Sequence, residues 1–412
     1  LARDGLRFTD AHAPGPLCHM SRYGLMTGRF PFRTDVSKWP KQPLIAADQT
    51  TVPSLLKTAG YQTHMVGKWH LGFKENGYQN PLPGGPVDVG FDSFFGIRAS
   101  TDIPPYFYIK DNHAIAPPTG HIGANYTDGW TRIQGEFWRA GGIAPDLKLH
   151  DVLPRFTGEA VKTIDAHSAD TPLFLYLAYP APHTPWLPSK EFDGSSKAGL
   201  YGDFVTMVDA EIGKVLAALA KKDLAGDTLV IFTSDNGPVW YEEDVERLGH
   251  DSSGGLRGMK ADTWEAGHRM PFIARWPGTI KPGSTTAQTI CFTDILATAA
   301  ALTDTKLPQG AGPDSFSFLH LLEGEDNPVR PSLTMASGNK TFTHRSGPWK
   351  LITALGSGGF SKPSRIKPSP GGPTGQLYNL DKDPAETTNL YQKHPEIVAR
   401  LSAQLEAVKQ AD

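Results

Sequence analysis

Phe204-Val-Thr-Met-Val-Asp-Ala-Glu-Ile-Gly-Lys-Val-Leu-Ala-Ala-Leu-Ala-Lys-Lys222, followed after a short break by Thr228-Leu-Val-Ile-Phe232 and then Thr233-Ser-Asp-Asn-Gly237, is the passage on which the fold turns. The first part places Val205, Val208, Ile212, Val215, Leu216 and Leu219 at helical spacing; the second is a short continuous apolar run of the kind buried in parallel sheets. The same step occurs twice upstream. A helix over Thr50 to Ala59, stopped at Gly60, feeds a strand over Tyr61 to Val66. A helix over Leu149 to His167, with Val152, Phe156, Ala160 and Ile164 on one face, feeds Leu173-Phe-Leu-Tyr-Leu-Ala-Tyr179. Three helix-to-strand units predict an α/β protein with a mostly parallel sheet covered on both faces.

The rest of the chain fits around these units. Asn76 to Gly142 is rich in Gly, Pro and aromatic residues without clear periodicity, and reads as a long loop bundle. A helix over Asp294 to Leu302 follows the third unit. Beyond about Glu323, strand signals at Leu333 to Ala336, Trp349 to Thr353 and Gln376 to Asn379 precede a terminal helix near Glu396 to Val408. We therefore expect two domains, residues 1–325 and a small α+β domain over residues 326–412.

Composition narrows the function. In 412 residues, 40 Lys and Arg face 43 Asp and Glu, a net charge of −3 with no basic stripe, so nucleic acid is not an expected partner. No apolar run reaches the roughly 18 to 20 residues of a membrane span. Gly 43 and Pro 35 imply many irregular connections, which is where function concentrates. The only cysteines, Cys18 and Cys291, exclude a disulfide scaffold and a multi-cysteine zinc site. Cys291, in an apolar strand-like segment, reads as a buried structural thiol.

The chemistry-bearing residues follow the strands. Tyr61–Val66 runs into Gly67-Lys68-Trp-His70, Leu173–Tyr179 into Pro180-Ala-Pro-His183, and Thr228–Phe232 into Thr233-Ser-Asp235-Asn236-Gly237. Carboxyl ends of parallel strands open on one edge of the sheet, so Lys68, His70, His183, Asp235 and Asn236 are expected to converge. Cations and imidazoles beside carboxylate and amide oxygens suit an anionic substrate held next to a hard cation such as Ca²⁺ or Mg²⁺. Near the N-terminus, a helix opening at Cys18 would set that residue at its positive end, with Arg22 one turn on.

Taken together these segments resemble the type I sulfatases. Cys18-His-Met-Ser21-Arg22 with Leu25 and Thr27-Gly28-Arg29 looks like their first signature, and Gly67-Lys-Trp-His-Leu-Gly72 is similar to their second. Phe8-Thr-Asp-Ala-His12, His183-Thr-Pro185, Thr233–Gly237, Leu256-Arg-Gly-Met-Lys260, Trp264-Glu-Ala-Gly-His-Arg269 and Leu377–Pro384 match further family segments in order. Ile103-Pro-Pro-Tyr-Phe-Tyr108 resembles the arylsulfatase A and N-acetylgalactosamine-6-sulfatase branch.

The resemblance implies an alkaline-phosphatase-like fold and a sulfuric ester hydrolase acting on a sulfated sugar or glycan, with aryl sulfates as surrogates. It implies that a formylglycine-generating enzyme oxidises Cys18 to formylglycine, whose hydrated aldehyde attacks sulfur and then expels sulfate. Arg22 and Lys68 would stabilise the diol and developing charge, and His70 would be the base of the expulsion step. His183 and Lys260 would bind sulfate oxygens and help protonate the leaving alcohol; Asp235 and Asn236 would be ligands of Ca²⁺, or of Mg²⁺. A periplasmic or secreted location is implied too, and His250, His268 and Trp240 are expected on the sugar-facing rim.

Two features depart from the pattern. Met20 stands where Pro or Ala is usual, at a position the modifying enzyme reads. The family's Asp-Asp pair, at the end of a first strand, has no counterpart in Leu1 to Leu17, so the chain is expected to start after that strand. A phosphatase or phosphonate monoester hydrolase of the same superfamily, and a non-catalytic binder of sulfated glycans, remain competing readings at this level.

Overall fold

The computed structural model describes residues 1–131 and 133–411. They form two compact units, each made from non-contiguous segments. The first comprises Leu1–Val36, Thr228–Val245 and the chain from Asp251 onward; the second comprises Ser37–Asp227 and Glu246–His250.

The first unit is built on a mixed sheet. Its strand order is Ser284–Thr286, Leu6–His12, Arg269–Arg275, Val230–Thr233, with Ile290–Cys291 also pairing with Leu6–His12. Leu6–His12 runs parallel to the two short strands and antiparallel to Arg269–Arg275, with Phe8 opposite Phe272. Phe8, Phe272 and Phe318 meet edge to face, with centroids 5.0 to 5.8 Å apart, and anchor the apolar core under this sheet. A second sheet is antiparallel throughout, in the order Leu333–Ala336, Phe342–Ser346, Trp349–Ile352, Gln376–Asn379. The helix Pro395–Gln410 buries Leu401 and Leu405, and Leu401 packs with Leu351 and Leu377 of that sheet.

The second unit holds the parallel core. Gln62–Lys68 lies between Leu173–Ala178 and Ser93–Ile97, parallel to both, and Ile109–Lys110 and His113–Ala114 extend the sheet antiparallel. The helix Val52–Thr58 starts with a capping box, Thr51 accepting from the Ser54 amide while Ser54 Oγ accepts from the Thr51 amide. The helix Val152–Ala166 buries the predicted face, Phe156, Ala160 and Ile164.

Three differences from the sequence-based expectation have physical causes. Arg269–Arg275, unanticipated as a strand, runs antiparallel to both neighbours, so the first unit's sheet is not a parallel one. The apolar strands Leu173–Ala178 and Val230–Thr233 are mostly half-buried. Among the described residues, each pairs on one side only, at the edge of its sheet. The long helix Gly199–Lys221 buries Phe204, Met207, Glu211, Val215, Ala218 and Leu219 while Val205 is exposed. Its apolar residues span a wide arc, and packing selects a stripe turned by about one position from the one that spacing favoured. In the expected loop bundle, Ser93–Ile97 is a parallel strand, and most of the remainder is irregular.

Candidate active site

In the first unit, a ten-residue helix spans Cys18–Thr27, with Leu17 as its N-cap and no side-chain cap. Cys18 is thus the first helical residue, as predicted, on the turn whose amide groups lack partners within the helix. Gly28 ends the helix in the left-handed conformation, φ +64°. Lys260 Nζ donates to Cys18 Sγ at 3.4 Å. Arg22 Nε donates to Asp235 Oδ2 at 2.8 Å. Cys18, Arg22 and Lys260 are buried.

Backbone bonds tie the three segments together. The amide of Lys260 donates to Pro238 O at 2.7 Å and that of Ala261 to Pro16 O at 2.8 Å; the amide of Gly237 donates to Gly267 O at 3.1 Å. Gly237 is required by contact rather than by turn geometry, because a Cβ there would lie 1.8 Å from Ala266 O. Ala261 holds φ +73°, a costly value for a residue with a Cβ, immediately after Lys260. Five of the sequence-predicted residues, Cys18, Arg22, Asp235, Asn236 and Lys260, therefore occupy one constellation of interlinked segments.

This constellation fits a hard cation. Asn236 Nδ2 donates to Gly237 O at 2.9 Å, while its Oδ1 is buried and has no hydrogen-bond partner among the described residues. The orphaned amide oxygen of Asn236 and the carboxylate of its sequence neighbour Asp235 are both oxygen donors of the type that Ca²⁺ and Mg²⁺ take.

The second unit holds Lys68, His70 and His183. Lys68 ends the strand Gln62–Lys68 and is buried. His70 is buried, sits at φ +63°, and stacks on Trp39 at 4.5 Å between centroids and 18° between planes. The loop carrying Trp39 is fixed beside it: the amide of Leu44 donates to Leu71 O at 2.9 Å. His183 follows the strand Leu173–Ala178; its Nδ1 lies 2.7 Å from Thr184 O and 3.7 Å from Asp102 Oδ1. Thr184 Oγ1 donates to Gly135 O at 2.7 Å and fixes this loop.

Part of the expected sugar rim is overturned. His268 and Trp240 are buried, at 1% and 5% exposure, so neither presents its side chain to a substrate; only His250 is exposed. His268 instead belongs to a buried polar network that sequence reasoning missed. His12 Nδ1 and His268 Nδ1 are 3.0 Å apart, and His12 Nε2 lies 2.9 Å from Asp10 Oδ1. Lys350 Nζ lies 2.9 Å from Glu265 Oε1, 2.9 Å from Glu386 Oε1 and 3.1 Å from His268 Nε2.

His12, Glu265 and His268 bring possible metal-ligand atoms within 4.8 Å of one another. The Lys350 ammonium already supplies positive charge against Glu265, which favours an ion-pair network there over a metal centre. Burial pushes the Glu265 carboxyl up, but Lys350, His268, His12 and Arg345 together outweigh it and hold it far below the carboxylate range. Burial raises Glu386 to about 7 despite Lys350. Burial and the same ammonium keep His268 well below its usual value. The sequence signal was the i, i+3 spacing of Glu265 and His268, but its partners His12, Lys350 and Glu386 are remote in the chain. Cys291 is fully buried, and burial raises its thiol to about 11, as expected of a structural cysteine.

The sulfatase family model matches residues 1–305. The chain belongs to the sulfatase family. It is 33% identical to N-acetylgalactosamine-6-O-sulfatase of Bacteroides thetaiotaomicron, over 99% of this chain and 87% of that protein. It is 31% identical to arylsulfatase A of Bos taurus, over 100% of this chain and 81% of that one. A solved structure described under the metabolism of multiple glycosaminoglycans by Bacteroides thetaiotaomicron superposes with a TM-score of 0.86 at 32% identity, covering 100% of this chain and 93% of the other. The fold is that of the alkaline-phosphatase-like sulfatases, with the C-terminal antiparallel sheet, and the protein is a sulfatase enzyme, a hydrolase of sulfuric esters. No helix among the described residues of this sulfatase is long and apolar enough to cross a membrane.

Proposed function

We propose that this sulfatase removes sulfate from a sulfated carbohydrate, using residue 18 as the nucleophile position. The observation that carries the reading is the constellation of Cys18, Lys260, Arg22, Asp235 and Asn236, with the Cys18 side chain at a helix start and in contact with an ammonium. Similarity to proteins named as N-acetylgalactosamine-6-sulfatases, and to a structure described under glycosaminoglycan metabolism, supports a carbohydrate substrate.

Cys18 Sγ here stands in for the oxygens that formylglycine would carry; as its hydrate, that group supplies a hydroxyl nucleophile that a thiol does not. Lys260 Nζ, 3.4 Å from this position, offsets negative charge developing there and on a sulfate oxygen. Arg22 holds the Asp235 carboxylate in place by its 2.8 Å hydrogen bond. Asp235 and Asn236 Oδ1 would hold Ca²⁺ or Mg²⁺, which when bound supplies Lewis-acid stabilisation of sulfate charge. By the resemblance of their segments to the family's, Lys68 would add charge stabilisation, His70 would accept a proton in the step that frees sulfate, and His183 would donate one to the departing alcohol. We also propose that a formylglycine-generating enzyme is a partner and that Met20 is tolerated by it.

The test is a parallel assay on matched aryl sulfate and aryl phosphate, on N-acetylgalactosamine 6-sulfate, and on its desulfated sugar as a blank, with mass spectrometry of the peptide containing residue 18. Sulfate release from the sugar and aldehyde at residue 18 are expected. An intact thiol with no sulfate release, or a dominant phosphate rate, would overturn the proposal.

A further inference from the structure

In the second unit, a buried carboxylate stands behind His183. Asp102 has 4% of its side chain exposed, and its two oxygens are used differently. Oδ2 accepts from Arg139 Nη1 at 2.5 Å. Oδ1 is buried, has no hydrogen-bond partner among the described residues, and lies 3.7 Å from His183 Nδ1. A buried carboxylate oxygen without a partner is costly, and a cationic neighbour offsets that cost. Asp102 faces the imidazole and Arg139 stands behind that carboxylate; the Arg139 carbonyl accepts from Tyr106 OH at 2.7 Å. His183 Nδ1 is directed at Thr184 O, 2.7 Å away; a carbonyl only accepts, so Nδ1 carries a proton.

We propose that Asp102 is a positioning residue for His183: its carboxylate keeps the imidazole protonated and oriented, so that Nε2–H is ready for the leaving oxygen of the sulfate ester. The inference rests on His183 being the proton donor in the proposed function. As the bond between sulfur and the leaving oxygen breaks and a new sulfur–oxygen bond forms to the hydroxyl nucleophile, which releases its own proton to solvent, the leaving oxygen takes the Nε2 proton and departs as the neutral alcohol. His183 becomes neutral imidazole and is reprotonated by water. Arg139, with 46% of its side chain exposed, fixes Oδ2 and so leaves Oδ1 turned to His183.

The experiment compares Asp102→Asn with the parent on two aryl sulfates, one with a weakly basic and one with a strongly basic leaving group. The asparagine keeps an oxygen for Arg139. General acid assistance is worth about 10²- to 10⁴-fold, and only a basic leaving group needs it. We expect kcat to fall at least 10²-fold on the strongly basic leaving group and by about 3-fold or less on the other, with KM little changed and the alkaline limb of kcat moved to lower pH. Histidine NMR, assigned with His183→Gln, should show the His183 titration midpoint lowered in Asp102→Asn; this readout does not depend on turnover. Equal losses on both substrates with an unmoved midpoint would overturn the inference and leave Asp102 a structural residue. A moved midpoint with no leaving-group dependence in His183→Gln would overturn the catalytic part. Absence of sulfate release from the parent enzyme would instead defeat the functional reading, and the midpoint alone would then decide whether Asp102 sets the charge of His183.

Discussion

Lys260 Nζ donates to Cys18 Sγ across 242 positions of sequence, at 3.4 Å, with both side chains buried. A buried ammonium is retained where it faces developing negative charge, because the low local dielectric strengthens that attraction. Lys260→Ala should lower kcat on an aryl sulfate by about 10²- to 10³-fold, the range for removing one such stabilising donor. Lys260→Arg should recover part of it. Mass spectrometry of residue 18 in both variants separates a catalytic loss from failed modification, and an unchanged kcat in fully modified Lys260→Ala would remove this lysine from the mechanism.

Asn236 Oδ1 leads to a thermodynamic prediction. A ligand bound only by the native state stabilises it by RT ln(1 + [L]/Kd), roughly 2.7 kcal/mol at a hundredfold excess over Kd. Protein stripped with a chelator should show a Tm that rises with added Ca²⁺, and Asn236→Ala should blunt the rise. Among the described residues, Asn236 Nδ2 bonds to the neighbouring Gly237 O alone, so truncation removes little else. A Tm independent of Ca²⁺ and of Mg²⁺ in the parent protein would count against the cation site.

The site was legible wherever its residues follow an apolar strand or open a helix. Cys18, Asp235 and Asn236 could be placed because Cys18–Thr27 and Val230–Thr233 announce themselves through local pattern. The strand Arg269–Arg275 was not, since it lacks a continuous apolar run and carries Pro271 inside it, although Met270, Phe272 and Ala274 are buried at a spacing of two. Asp102 lies in a turn-rich stretch where no periodicity marks a position, and only its distance to His183 gives it meaning. His268 illustrates the opposite error. A histidine beside a signature segment looked like a substrate contact, yet its partners Lys350 and Glu265 enclose it, and such a network depends on long-range pairing that one sequence does not display.

Gly237 tests how tightly the constellation is assembled. A Cβ at this position would meet Ala266 O at 1.8 Å and Ala266 C at 2.9 Å, backbone atoms that can retreat only by shifting the segment Glu265–His268. Gly237→Ala should therefore destabilise the protein by about 1–3 kcal/mol, the usual cost of overpacking, and reduce kcat by displacing Asp235 and Asn236. Thermal unfolding and steady-state kinetics check both; a variant with parental Tm and kcat would show that the loop is looser than this contact indicates.

The Lys350 network sets a pH dependence of stability, with two opposing parts. Burial, opposed by Lys350, raises the Glu386 carboxyl from 4.5 to about 7. Between those values the native state holds a proton that the unfolded chain has released, so this contribution is full below about pH 4.5 and is lost as pH rises through 7, on the order of 3 kcal/mol in total. Asp10 and Glu265 act in the other direction: their carboxyls are lowered, so what they contribute is present at neutral pH and is lost on acidification. Glu386→Gln should have a lower Tm throughout. Glu386 Oε2 accepts from the Glu265 amide at 2.6 Å while Oε1 faces Lys350, and an amide must turn its NH2 toward one of those donors. The informative quantity is the slope. The parent protein should lose stability from pH 5 to 8 more steeply than Glu386→Gln, whereas both should share the loss on the acid side. Parallel curves across the neutral range would mean that Glu386 is ionised throughout, with Lys350 carrying both carboxylates.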